Sequence, residues 1–371
     1  MFTELPSDKE VDMTHYFLLV GTYTAEGGSQ GVHHFQLECA PFECREWALT
    51  PADNHSYLAL SADGTRVYAT HEIGAEKEGW VSSYRLSAQT GTLQGVGAVP
   101  TKGADPCHVT ASPQGRFLFV SNYSSGSLAV VPCDSDGQLH DPVAVISYGG
   151  GSGAVPERQQ GAHVHFATIT PDQRYLLVCD LGNDCIYSYP FDESRVPTPL
   201  ALGEVQRIAL PHGSGPRQVK FSPCGRFAYV MGELDGGVYL FDYAEGTLRL
   251  RQQVMLAEAR EEEEHGGGEL AISADGRFVY ASNRGDFNEI AVFAVSPQNG
   301  TLRRIQRIDT QGVLPRHFEI TPDGGYVLVC NQGSGTLQLF DRDEYSGYLS
   351  HMQQCAFLDQ PACVLLLPLP R

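Results

Sequence analysis

The chain has 371 residues, 42% of them hydrophobic, a formal charge of −19 and an isoelectric point near 5.0. That balance disfavours nucleic acid and anionic membrane surfaces, which are recognised through basic patches, and it favours solubility. It does not exclude an anionic substrate, because a local cluster of arginines overrides the global sign.

Forty glycines and 22 prolines suit a fold with frequent turns, and no window sustains a 3.6-residue apolar period. The opening MFTELPSDKEVDMTHYFLLV has no basic segment ahead of an apolar one, so no signal peptide is expected. No apolar run approaches the ~20 residues that cross a bilayer. The ten cysteines form no CxxC pair, and most lie in apolar runs. Reduced, buried thiols in a cytoplasmic protein are therefore expected.

In chain order, residues 1–14 read as an extension, and HYFLLVGTYTAEGGSQGVHHFQLE supplies two strands. Six similar segments follow: YLALSADGTRVYATHE, HVTASPQGRFLFVSNY, FATITPDQRYLLVCDL, QVKFSPCGRFAYVMGE, LAISADGRFVYASNR and FEITPDGGYVLVCNQ. Each is an apolar run, a turn of the S/T-x-x-G type and a second apolar run. The turns close at Gly64, Gly115, Gln173, Gly225, Gly276 and Gly324, so the period is close to 50 residues. Glycine there supplies the positive φ that a tight hairpin needs. A third strand follows in each unit (SLAVVPC, GVYLFDY and their equivalents), and a weaker fourth follows turns such as QTGTLQG, SDGQLHD, AEGTLRL or QNGTLRR. Four antiparallel strands per unit is the pattern of a propeller blade. The C-terminal PACVLLLPLP adds one strand. Joined to the N-terminal strands it completes a seventh blade and removes the exposed edges. The expectation is an all-β, seven-bladed propeller forming a single domain over 1–371, its ordered core running about 16–369.

The repeats act as each other's controls. Positions that pack look alike in every unit, and positions that differ are free or functional. One variable set lies five residues before the turn Ser/Thr: Ser56, Cys107, His165, Arg217, Gly268 and Arg316. The other lies eight past the turn Gly: Glu72, Tyr123, Leu181, Glu233, Arg284 and Gln332. Hairpin geometry puts both sets at one mouth of the axial channel. Three arginines against two glutamates make this rim net positive in an acidic chain. His165, Arg217, Glu233, Arg284 and Arg316 come from four successive blades and suit a small anion, since guanidinium forks bind carboxylate or phosphate bidentately. Mutual ion pairs plugging the channel are the bland alternative.

Seven past the turn Gly, repeated Asn (Asn122, Asn283, Asn331) reads as a turn former, and Asp180 as a group that could orient His165 or another rim residue. The Gly-rich linker 149–165 could carry Arg158 to the mouth. Cys107 beside His108 invites a nucleophile reading, which strand alternation disfavours. EAREEEEH, 258–265, reads as a solvated loop between blades. No phosphate-binding loop, GxSxG, HExxH or zinc-spaced cluster is present.

The linker PERQQGAHVHFATITPD, the segment SGPRQVKFSP followed by GEL, and ASNRGD resemble the seven-bladed propeller lactonases, a family that includes bacterial propeller 6-phosphogluconolactonases and fungal carboxy-cis,cis-muconate cyclases. The resemblance covers about residues 16–369. It implies His165, Arg217, Glu233 and Arg284 as the catalytic set. Beside them, Arg316, Arg158, Glu72 and Asp180 are candidate substrate-binding residues from the reading of the rim and linker, and no metal or cofactor is expected. Gln173 and Cys224 depart from the family's turn residues, and GAV stands where the linker often reads GPN.

The implied activity is hydrolysis of a sugar lactone such as 6-phosphogluconolactone, with a small anionic lactone or sugar phosphate as substrate and neither nucleic acid nor membrane as partner. Glu233 or His165 would serve as base. A cycloisomerase acting on a muconate-type acid would use the same groups. A non-catalytic scaffold is a third reading, although the blades lack the GH…WD signature. A calcium-dependent lactonase would recruit Glu72, Asn122, Asp180 and Asn283 as oxygen ligands.

Overall fold

A computed structural model describes residues 15–24, 27–74, 77–258 and 263–368; the expected extension 1–14 lies outside them. Seven four-stranded antiparallel sheets form seven blades. The innermost strands are Leu58–Leu60, Pro106–Ala111, Val164–Ile169, Pro216–Phe221, Gly267–Ile272, Pro315–Ile320 and Pro361–Pro368. Blades one to six follow chain order. In the seventh, Pro361–Pro368 pairs with His15–Thr22, which continues to Gly31–Cys39 and Phe42–Pro51. The N-terminus therefore supplies an outermost strand as well as the two expected. Seven apolar clusters each join two neighbouring blades, from Val109 and Tyr68 between one and two to Leu18 and Leu328 between six and seven. Every blade is covered on both faces, so its second strand reads as continuous apolar sequence rather than an alternation; FLFVSN and FVYASN are buried throughout.

The repeated turn has a hydrogen-bonding cause. In all six chain-order blades the Ser or Thr hydroxyl oxygen accepts the backbone N–H five residues on: Arg66 to Ser61, Phe117 to Ser112, Tyr175 to Thr170, Phe227 to Ser222, Phe278 to Ser273 and Tyr326 to Thr321, at 2.9–3.1 Å. The turn Gly takes φ near +70° in five of them, and Gln173 adopts +57° in the sixth, at a cost of about 1 kcal/mol for a residue bearing a Cβ. SDGQLHD differs from expectation. It makes only the bridge Cys133–Leu139, and blade two's outermost strand starts later, at Ala144. The described parts of 258–265 connect blades four and five, as the charge run predicted; 259–262 lie outside the described residues.

All ten cysteines are free, but not all are buried: Cys224, at the turn position usually held by Asp, is exposed. A hydrogen bond with Ser222 holds its thiol down to about 7. Alkylation by iodoacetamide at pH 7.5 should modify Cys224 well before the seven buried thiols, checked by peptide mass mapping; uniform labelling would contradict this exposure.

Candidate active site

The innermost strands begin, and the second strands end, at one mouth of the channel, where a cavity of about 440 Å³ opens. Glu233 lies at its base, 5% exposed. Three guanidinium groups from three parts of the chain meet its carboxylate: Arg158 Nη2 at 2.6 Å from Oε1, and Arg217 Nε and Arg284 Nη2 each at 3.0 Å from Oε2. His165 Nε2 is 3.8 Å from Oε2. On the opposite wall, Arg316 Nη2 stands 3.5 Å from Glu72 Oε2 and its guanidinium lies over the Tyr23 ring at 5.2 Å. Ser56 also donates to Glu72.

Each position has a local cause. His165 and Arg217 sit near the start of innermost strands of blades three and four, next to irregularities in the ladder that let their side chains enter the channel. Glu233 follows the second strand, where its N–H donates to Gly215 O at 2.9 Å and its carbonyl accepts from Gly267 N at 3.0 Å. Arg284 donates to Gly266 O and Gly267 O, so the start of its own blade's innermost strand fixes its reach. The linker is held by Gln159, fully buried, which donates to Leu181 O at 2.8 Å and Asp184 Oδ1 at 2.7 Å. That anchor delivers Arg158 to the mouth, where it bonds Tyr123 Oη at 3.1 Å as well as Glu233.

The electrostatics follow from this packing. Burial alone would raise Glu233, but Arg284, His165, Arg217 and Arg158 outweigh it and hold the carboxyl well below the usual range. Burial, reinforced by Arg217, holds His165 well below its ordinary value, so the imidazole is neutral at neutral pH. Its Nδ1 is buried and, among the described residues, has no hydrogen-bond partner. Burial lowers Arg284 to about 10, partly offset by Glu233.

The chain matches the family model described as "Lactonase, 7-bladed beta-propeller" over residues 17–366. It belongs to the seven-bladed β-propeller lactonase family. Among relatives of this lactonase-family chain, a 6-phosphogluconolactonase of Bacillus subtilis (strain 168) is 33% identical over 96% of this chain and 99% of the relative. A 6-phosphogluconolactonase of Formosa agariphila is 30% identical over 91% of this chain and 95% of its own length. The structure of a Pseudomonas aeruginosa periplasmic gluconolactonase superposes with a TM-score of 0.91 at 37% identity, covering 96% of this chain and all of that one.

The lactonase-family site gathers most residues expected from the sequence, with differences. Arg217 lies beneath Glu233 and is not part of the cavity lining, which Arg158, Arg284 and Arg316 share with Glu72, Glu233 and His165. Asp180 is not in the cavity and does not contact His165. It is fully buried, accepting from the His163 and Asn183 backbones and the Asn183 side chain, because the turn after its strand needs an acceptor. The four oxygen ligands of the calcium reading do not converge: Asn122 donates to Ser127, Asn283 pairs with His265, and Asp180 holds its turn. Cys107 does line the cavity, but burial pushes its thiol up and its Sγ points at the carbonyls of Ser121, Val164 and His165. His108 turns away and packs on Phe166. Glu264 and His265 also line the cavity. They come from the connector between blades four and five, whose sequence does not follow the repeat, so comparison of repeats had no signal for them.

Proposed function

We propose that the protein is a lactone hydrolase acting, as a single propeller domain, on 6-phosphogluconolactone to give 6-phosphogluconate. The observation that carries the reading is the convergence of Arg158, Arg217 and Arg284 on Glu233 beside an unprotonated His165. The names of two curated relatives support the substrate.

In this reading His165 is the base. Glu233 is already satisfied by guanidinium groups and has little affinity for a proton, whereas His165 carries a free lone pair at neutral pH. Water attacks the lactone carbonyl as His165 Nε2 takes its proton, and the imidazolium so formed is offset by the Glu233 carboxylate. Arg284 faces the developing oxyanion, a contribution typically worth about 3–4 kcal/mol for a well-placed donor. The tetrahedral intermediate collapses, the ring C–O bond breaks, and the departing oxygen recovers the proton from His165. Arg158 and Arg316, at the rim, clamp the phosphate. The reading requires no metal or cofactor. We place it in the cytoplasm on the ten unpaired cysteines, a pattern of reducing compartments; the Pseudomonas neighbour is a periplasmic protein.

The test is hydrolysis of 6-phosphogluconolactone against gluconolactone. Two guanidinium contacts to phosphate should favour the former by about 10–100-fold in kcat/KM. A preference for gluconolactone would reassign Arg158 and Arg316, and hydrolysis of neither would remove the lactonase reading.

A further inference from the structure

The innermost strands meet again at the opposite mouth of the channel, where a second cavity of about 370 Å³ opens. Its walls come from the innermost strands of blades one, four, five, six and seven, with Tyr57, Phe221, Phe318 and Ile320 as the larger apolar members and Lys220, Glu269, His317 and Glu319 as the polar ones.

Three of the polar groups satisfy one another. Glu269 accepts from Gln218 Nε2 at 2.6 Å and lies 3.6 Å from both Lys220 Nζ and His317 Nε2. The Lys220 ammonium also sits 5.6 Å from the centre of the Phe166 ring. Glu319 is different. Among the described residues its carboxyl has one hydrogen bond, from Leu366 N–H to Oε2 at 2.8 Å, and no cation within ion-pair distance. Burial pushes it up to about 8. Its other oxygen is unused, in a cavity walled by aromatic and aliphatic side chains.

We propose that this cavity binds a small organic monocation, a primary ammonium on a short apolar body, paired with the Glu319 carboxylate. Charge balance selects this class. With the ligand in place, two cations (Lys220 and the ammonium) face two carboxylates (Glu269 and Glu319). A carboxylate ligand would instead add negative charge beside Glu269, and a neutral one would gain no ion pair from Glu319. Tyr57, Phe221 and Phe318 line the cavity with aromatic surface of the kind that suits an ammonium. On binding, the Glu319 carboxylic acid gives up its proton to solvent as the carboxylate–ammonium pair forms. The groups facing it do not titrate in the same range: burial holds His317 down to about 4 and raises Tyr57 well above its usual value, while His317 and Lys220 overcome burial to keep Glu269 low.

Isothermal titration of the full chain with benzylammonium at pH 7, in two buffers of different ionisation enthalpy, tests this. Saturable binding with release of about one proton is expected, with benzoate and benzyl alcohol binding at least about tenfold more weakly. Glu319→Gln, which keeps an acceptor for the Leu366 N–H, should abolish the proton release and weaken binding about tenfold. Ile320→Trp, which fills the cavity from its rim, should block it if the first variant folds poorly. Absence of benzylammonium binding, equal binding of benzoate, or binding unchanged in both variants would overturn the proposal.

Discussion

Replacing Glu233 with Gln is expected to slow lactone hydrolysis by about 10²–10³-fold, the range for losing one preorganised electrostatic partner of the transition state, and to destabilise the fold as well. The amide preserves shape but removes the one negative charge on which Arg158, Arg217 and Arg284 converge. Arg217 and Arg284 are buried, so they are left beside each other without compensation. Removing one member of a buried ion cluster costs about 3–5 kcal/mol. The rate falls for a linked reason: an imidazolium forming at His165 then meets only guanidinium groups. Because the defect is missing negative charge, inorganic phosphate should raise the variant's unfolding temperature more than that of the unmodified protein. His165→Ala separates the two effects. It leaves the Arg–Glu cluster intact, so activity should fall by about 10²–10⁴-fold with little change in unfolding temperature. If Glu233→Gln unfolds at the same temperature as the parent and is indifferent to phosphate, Glu233 does not hold the cluster together.

The architecture was legible because the same local solution recurs in six blades. A Ser or Thr hydroxyl that must accept an N–H five residues later, and a turn residue that must take positive φ, leave a signature that survives Gln173 and Cys224. The site was legible by contrast, since His165, Glu233, Arg284 and Arg316 occupy positions where packing alone would have repeated one residue type. What the pattern could not convey was depth. Arg217 shares its repeat position with Arg316, yet it lies beneath Glu233 while Arg316 lines the cavity; the difference rests on which carboxylate each guanidinium reaches, Glu233 or Glu72. Asp180 illustrates the converse: it breaks the run of Asn at its position but serves the same local turn. Gln159, Glu264 and His265 lie on connectors, where no repeat exists for comparison and only the folded path of the chain brings them to the mouth.

Acidification from pH 6.5 towards 4.5 should unfold the protein cooperatively with net uptake of about four to five protons. Five histidines are buried and His71 is partly exposed, and burial depresses all six: His55 to about 3, His71 and His317 to about 4, His108 and His165 well below the usual value, and His34 below it. In the unfolded chain all six would ionise near 6.5. A depressed folded value means that the stabilisation is complete above 6.5 and is lost progressively as pH falls towards the folded value. Glu319, raised to about 8, acts with opposite sign. It is already protonated in the folded state where an unfolded carboxyl is ionised, so its contribution is full at low pH and fades as pH rises through 8, removing about one proton from the uptake near pH 5.5. The depressed carboxyls Glu233 and Glu269 add to the uptake only as pH nears the ordinary carboxylate range. Four protons correspond to about 5 kcal/mol per pH unit, comparable to the total stability of an ordinary domain. Urea unfolding at half-unit pH intervals measures that slope directly. His108, packed between Tyr57 and Phe166, permits a decisive variant: His108→Phe keeps an aromatic ring in an aromatic slot and should lower the slope by about one proton. A stability curve that stays level from pH 7 to 5, or a slope that ignores His108→Phe, would show that these imidazoles reach water in the native state.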